Sequence, residues 1–135
     1  YQVYESRALG ADCILLIAAV LELDELQSLY DLAVSLELDV LIEIHDESEL
    51  QKALSVSPRL LGINNRDLKT FEVNLDVSLR LLTAIPDGIS VVTESGIADG
   101  ADVLKMMNSG VYGFLIGEAF MKAPDPGAAL RSLFT

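Results

Sequence analysis

The chain has 135 residues, 51% of them hydrophobic, which predicts one globular domain, or a piece of one, with a substantial core. Nine basic and 21 acidic side chains give a formal net charge of −12, which opposes binding to nucleic acid or anionic lipid. No apolar stretch approaches the roughly 20 residues of a membrane span, and no secretory signal is recognisable, so we expect a cytoplasmic protein. The single cysteine, Cys13, lies in an apolar run and is predicted to be a core residue, and a disulfide within the chain is excluded.

The predicted elements alternate along the chain between helical and strand-like segments. The first ten residues, YQVYESRALG, have helical spacing, and because they begin without methionine we expect the natural start of the domain to precede Tyr1. Five short apolar runs follow, each of strand length: CILLIA (13–18), VLIEI (40–44), LLGIN (60–64), ISVVT (89–93) and YGFLIG (112–117). Segments with helical spacing separate and follow them, and their predicted starts are Asp46 with Glu49 three residues later, Asn74, and Asp125 before Pro126.

This alternation predicts an α/β fold with a parallel sheet, because parallel strands need long crossovers and those crossovers cover the sheet. Two architectures satisfy the pattern. Five units could form a doubly wound sheet, or they could be about the last five units of a (βα)₈ TIM barrel, whose usual length is about 250 residues.

Polar residues near the ends of three consecutive runs favour the barrel. With a period of two, Glu43 and His45 share a face with Leu41, Asn64 and Arg66 share a face with Gly62, and Glu94 shares one with Val92. Glu43, Asn64 and Glu94 would then point inward at the carboxyl end of the sheet, where barrel enzymes build their sites. The alternatives are exposed loop residues, or a buried ion pair such as Glu43 with Arg66.

Two glycines near the last two runs indicate an anion site. Gly96 follows Glu94 and Ser95, and Gly117 is placed at the end of the last strand, just before EAFM, which can start a short helix. Backbone amides exposed at such positions bind anions without a lysine. An acidic chain could therefore still bind a phosphorylated substrate.

Four segments, LIEIHDESEL, LLGINNRDLKTFEVNL, VVTESGI and GFLIGEAFM, in this order and spacing, resemble the second part of indole-3-glycerol-phosphate synthase, over the whole chain. The resemblance implies one partial barrel domain over residues 1–135, carrying strands four to eight. It implies a carbon-carbon lyase of tryptophan biosynthesis that closes the indole ring of 1-(2-carboxyphenylamino)-1-deoxyribulose 5-phosphate, releasing carbon dioxide and water, without metal or organic cofactor.

The resemblance also implies roles for individual residues. Glu43 matches the family's general base, and Asn64 and Glu94 match residues that orient the substrate and polarise its hydroxyls. Arg66 matches a loop arginine near the site, and Leu15 lies where the aromatic ring packs. Ser95, Gly96 and Gly117 match the phosphate cradle, to which Glu118 can offer its backbone amide. His45 is expected to act behind the site and not as the base.

The family's general acid is a lysine on the third strand, which would precede Tyr1, as would a further lysine and glutamate on the first strand. The four lysines of this chain, Lys52, Lys69, Lys105 and Lys122, are predicted to lie on helices or outer loops. We therefore expect the isolated chain to be inactive, with the missing amino-terminal portion, or a second copy, as its partner. The alternatives are a related phosphate-binding barrel such as phosphoribosylanthranilate isomerase, or a non-catalytic assembly module.

Overall fold

The computed structural model describes all 135 residues and contains five strands and seven helices. The strands are β1 (Cys13–Ile17), β2 (Asp39–Ile44), β3 (Leu60–Asn64), β4 (Ser90–Glu94) and β5 (Gly113–Leu115). The helices are α1 (Gln2–Ala8), α2 (Leu23–Ser35), α3 (Glu47–Leu54), α4 (Asp76–Leu82), α5 (Gly100–Asn108), α6 (Glu118–Met121) and α7 (Pro126–Leu133). The predicted alternation is confirmed, including the helix at the start of the chain. No helix has the length and apolar character needed to cross a membrane.

All five strands are parallel and lie in chain order, β1-β2-β3-β4-β5. A doubly wound sheet reverses its strand order at a switch point, whereas the wall of a (βα)₈ barrel does not. The unbroken order decides between the two predicted architectures. The structure is five consecutive units of a barrel wall, with β1 and β5 at its edges.

The main core lies between one face of the sheet and the helices. Strand residues Ile42, Ile44, Leu61 and Ile63 are fully buried there against helical residues that include Leu26, Ala33, Leu50, Ala53 and Leu81. A smaller cluster under α5 and α7 contains Val103, Met106, Val111 and Leu133. The opposite face carries the alternate residues of each strand, among them Leu15, Glu43, Asn64 and Glu94. We call this opposite face the inner face.

Helix starts follow the predicted signals at two of three places. The Asp46 carboxylate accepts from the Glu49 backbone at 2.9 Å, and the Asp125 carboxylate accepts from the Ala128 backbone at 2.9 Å with Pro126 in the first turn. At Asn74 the side chain accepts from the backbone of Asp76, and α4 begins only at Asp76. Asn74 therefore lies in the loop before α4 and is not the residue at which the helix starts.

Two predictions about single residues are wrong. Cys13 is exposed and does not belong to the core, because it lies at the start of the edge strand β1 on the inner face, which no helix covers. Gly117 does not end the last strand: β5 stops at Leu115, and Gly117 directly precedes α6. The glycine therefore belongs to the turn between strand and helix.

Candidate active site

Two buried carboxyl groups meet on the inner face above Gly62. Glu43 on β2 lies beside Gly62 on β3, and Asn64, two residues further along β3, lies beside Glu94 on β4. A Cβ atom at Gly62 would overlap Oε1 of Glu94, so the carboxyl group of Glu94 reaches across β3 through the space that the missing side chain leaves. Glu43 is 6% exposed and Glu94 3%. The predicted convergence of Glu43, Asn64 and Glu94 on one face is confirmed.

The surroundings of Glu94 change its protonation. Burial, followed by the negative charge of Glu43 and a hydrogen bond with it, raises the pKa of Glu94 from 4.5 to about 8. At neutral pH Glu94 is therefore mostly a carboxylic acid. Its Oε1 atom is buried and has no hydrogen-bond partner in the chain. A buried polar atom left unpaired is unusual and indicates a place where a ligand can bind.

Asn64 and His45 both contact the carboxylate of Glu43. The side-chain amide of Asn64 donates to Oε1 of Glu43 at 3.2 Å, and Nε2 of His45 lies 3.4 Å from the same oxygen. On its other side, Nδ1 of His45 lies 3.1 Å from Oε2 of Glu49, which also accepts from the His45 backbone at 2.7 Å. Glu49 thus fixes the ring that faces Glu43. His45 therefore lies between the two carboxylates, and its role behind the site stays a prediction.

Arg66 does not pair with Glu43, so the alternative of a buried ion pair between them is wrong. Its guanidinium donates to the carboxylate of Glu118, which also accepts from Nζ of Lys122. These hydrogen bonds and charges, with Lys122 the larger contribution, lower the pKa of Glu118. The loop that carries Arg66 is closed by a bridge between Arg66 and Val73. Arg66 is therefore held at the carboxyl end of the sheet, outside the carboxyl pair.

The two segments predicted to bind phosphate border one cavity of about 910 Å³, together with Glu94, Arg66 and Leu115. In one segment Ser95 and Gly96 have φ values of +60° and +81°, and a Cβ atom at Gly96 would collide with the side chain of Val73. This turn therefore requires glycine at position 96. In the other segment no atom lies within 4 Å of a Cβ built at Gly117, so packing does not require glycine there.

The remaining predicted residues lie at the edges of this site. Leu15 is on the inner face of β1, beside Leu41, and is 43% exposed. Lys52 and Lys105 are on helices and Lys69 is in a loop, as predicted. Lys122, directly after α6, lines the 910 Å³ cavity through its contact with Glu118, which the sequence did not indicate.

Two residues with a clear structural part in the site were missed. Gly62 was treated only as a marker of strand phase, although its lack of a side chain admits the Glu94 carboxyl group. Asn65 points to the outer face, where its amide contacts the turn after β4. A glycine inside a strand flanked by predicted inward carboxylates was the available signal for the first. The alternation itself offered none for the second.

Comparisons with known proteins agree with this geometry. The family model of indole-3-glycerol phosphate synthase matches residues 1–133. A protein of that name from Polaromonas naphthalenivorans is 55% identical over 99% of this chain and 51% of its own length, and one from Chromobacterium violaceum is 57% identical over 99% and 51%. The chain spans about half the length of the curated relatives it matches.

Among solved structures, the fold is similar to thiamine phosphate pyrophosphorylase from Pyrococcus furiosus, with a TM-score of 0.76 and 20% identity over 97% of this chain and 61% of that one. It is also similar to a structure described as native KDPGal, with a TM-score of 0.70 and 16% identity over 98% and 60%. At these identities the likeness shows the fold alone. The match over residues 1–133 and the two relatives show that this chain belongs to the indole-3-glycerol phosphate synthase family.

Proposed function

We propose that this chain supplies the base side and the phosphate side of the active site of an indole-3-glycerol phosphate synthase. The complete barrel would be a carbon-carbon lyase that converts 1-(2-carboxyphenylamino)-1-deoxyribulose 5-phosphate to indole-3-glycerol phosphate, carbon dioxide and water. The observation that carries the proposal is the pair Glu43 and Glu94 above Gly62, where a carboxyl oxygen is buried and unpaired. The cavity with Ser95 and Gly96 in its wall adjoins this pair.

The pair supports a division of acid and base roles. Ring closure and dehydration need a group that removes a proton from the new ring and groups that protonate departing oxygen. Two neighbouring carboxyl groups with different surroundings can divide these tasks. Glu94, whose pKa is raised to about 8, would remain protonated and donate to a substrate hydroxyl through its carboxyl group. Glu43, contacted by Asn64 and His45, would be the base.

The cavity gives the substrate a direction. Its phosphate would lie near the turn at Ser95 and Gly96 and near Gly117, and its aromatic ring would lie toward Leu15 on the other side of the carboxyl pair. The positive charges of Arg66 and Lys122 border the cavity, and both contact the Glu118 carboxylate. Only the backbone of Glu118 would favour a phosphate, because its carboxylate repels one.

A fusion experiment tests the proposal. The half of the Chromobacterium violaceum relative that this chain does not cover is joined before Tyr1, and formation of indole-3-glycerol phosphate is followed by its indole absorbance. We expect the fusion to be active and the 135-residue chain alone to be inactive, because the general-acid lysine is supplied only by the added half. In the fusion, Glu43→Gln should lower kcat by about 10²- to 10⁴-fold, the usual contribution of a general base.

The matched control is Glu47→Gln, the same chemical change at an exposed glutamate on α3 that pairs with Arg80. It should leave kcat unchanged. A fusion that folds and binds phosphate but forms no product would contradict the lyase proposal and support the assembly-module alternative. Activity of the 135-residue chain alone would contradict the assignment of the acid to the half taken from the relative.

A further inference from the structure

Asn65 ties the end of β3 to the turn that follows β4. The two N–H groups of its side-chain amide are shared among three acceptors: Oγ1 of Thr93 at 2.8 Å, the Glu94 carbonyl at 3.0 Å and the Ser95 carbonyl at 3.1 Å. Its backbone N–H donates to the same Glu94 carbonyl at 2.9 Å. The residue is 2% exposed, so water does not compete for these hydrogen bonds.

The other side of the same amide is fixed by α4. Oδ1 of Asn65 accepts from the Ser78 hydroxyl at 2.8 Å and from the Ser78 backbone at 3.2 Å. The Ser78 hydroxyl also lies 3.0 Å from Oγ1 of Thr93. Every donor and acceptor of the Asn65 side chain is therefore used, and the amide has one orientation.

The backbone that Asn65 holds is the part of the site with the least favourable conformation. Ser95 has a φ of +60°, which is uncommon for a residue other than glycine, and Gly96 follows with a φ of +81°. Such a turn persists only where the surroundings hold it. Directly before it, Glu94 carries the carboxyl group that reaches over Gly62.

We propose that Asn65 is a positioning residue that holds Glu94 above Gly62 and the Ser95–Gly96 turn against the cavity. Neighbouring Asn64 and Arg66 face the site, whereas Asn65 acts from the outer face through the backbone of β4. The role of Asn65 in holding the backbone does not depend on which reaction the site catalyses, whereas its effect on turnover rests on the proposed function. The residue thereby couples the end of β3 to the phosphate side of the site.

Two substitutions at position 65 test the proposal against a control at Ser78, whose hydroxyl contacts neither the Glu94 nor the Ser95 carbonyl. Asn65→Asp keeps the acceptor for Ser78, loses both N–H donors and places a carboxylate oxygen against the Glu94 and Ser95 carbonyls. Asn65→Ser is milder and remains usable if the aspartate variant fails to fold. Ser78→Ala is the control, because it removes a donor to Asn65 and leaves the contacts with Glu94 and Ser95 in place.

The first readout uses the 135-residue chain and needs no activity. Native-state hydrogen exchange compares the backbone amide of residue 65, which donates to the Glu94 carbonyl directly before the turn, with the slowest amides of β3. Loss of the side-chain hydrogen bonds that hold this junction should speed exchange of the residue 65 amide about tenfold or more in the Asn65 variants relative to β3. Ser78→Ala should change the exchange rates of the residue 65 amide and of the β3 amides by the same factor. Titration with inorganic phosphate should show weaker binding in the Asn65 variants only.

Parallel changes in all three variants, with unchanged phosphate binding, would overturn the proposal and leave Asn65 as a core residue. The second readout uses the active fusion. There, Asn65→Ser should raise KM by a larger factor than it lowers kcat, because the substitution weakens phosphate binding more than it slows the reaction of bound substrate. Ser78→Ala should leave both KM and kcat unchanged. If the fusion lacks activity, the proposed function fails, and the exchange experiment still decides the role of Asn65.

Discussion

Replacing Glu94 by glutamine removes a carboxyl group that the fold keeps protonated, and stability should respond to this change in a pH-dependent way. Glutamine is close in shape to the protonated acid. It can occupy the space above Gly62 and still contact Glu43. The variant therefore removes the ionisation of Glu94 with little change in packing.

The sign of the effect follows from the raised pKa of Glu94. Below about pH 4.5 the group is protonated in both the folded and the unfolded chain. Between pH 4.5 and about 8 the unfolded chain releases the proton while the folded chain retains it, so stability falls as pH rises. Above about pH 8 the folded chain carries an ionised Glu94 beside Glu43, and the free energy of unfolding is lowered by the full cost of burying that charge.

The size of the effect can be bounded from the same shift. A pKa raised from 4.5 to about 8 corresponds to a cost on the order of 5 kcal/mol for a group shielded from water. Glu94 also lines the 910 Å³ cavity, and water there screens part of the cost. We expect Glu94→Gln to raise the free energy of unfolding by about 2 to 3 kcal/mol at pH 9 and to leave it nearly unchanged at pH 4.5.

Urea unfolding at pH 4.5, 7 and 9, followed by far-UV circular dichroism in the presence of a reductant for the exposed Cys13, measures this difference. Glu72→Gln, at an exposed position, is the control and should give the same pH dependence as the parent chain. If parent and Glu94→Gln differ by a constant amount at all three pH values, Glu94 ionises normally in the folded chain. The acid role proposed for it would then be refuted.

Three further substitutions probe the site. Gly62→Ala should lower the free energy of unfolding by about 1 to 3 kcal/mol, measured by urea unfolding, because its methyl group takes the space of the Glu94 carboxyl. An unchanged stability would show that Glu94 does not cross β3. Gly96→Ala should abolish phosphate binding in a titration followed by NMR, since a φ of +81° and a collision with a neighbouring side chain both disfavour alanine. Glu118→Gln should strengthen phosphate binding several-fold at low salt by removing a repelling carboxylate and releasing Arg66, and weaker binding would contradict this role.

The alternation of strands and helices and the inward carboxylates could be predicted because both follow from local rules. Alternation along a strand places every second side chain on one face, so Glu43, Asn64 and Glu94 could be assigned to the same face from their positions alone. Strand order could not be read from the sequence, since both candidate architectures have the same alternation of elements. The inward polar residues favoured the barrel, and the pairing of β1 through β5 in chain order decided between the two.

What the sequence could not predict depends on distances between strands. Gly62 matters only because the side chain of a glutamate on the next strand crosses it. Asn65 matters only because a serine 13 residues later, in α4, contacts both its amide oxygen and a threonine on β4. Cys13 was misassigned for a related reason. An apolar run shows that a strand has a buried face, and it does not show which residues of an edge strand lie on the uncovered one.

The most direct test of the account is a crystal structure of the active fusion bound to indole-3-glycerol phosphate. We predict the phosphate at the Ser95–Gly96 turn, the indole ring toward Leu15, and the carboxyl groups of Glu43 and Glu94 in contact with the ligand from the same face of the sheet. A ligand bound away from this cavity, or the two carboxyl groups on opposite faces, would contradict it.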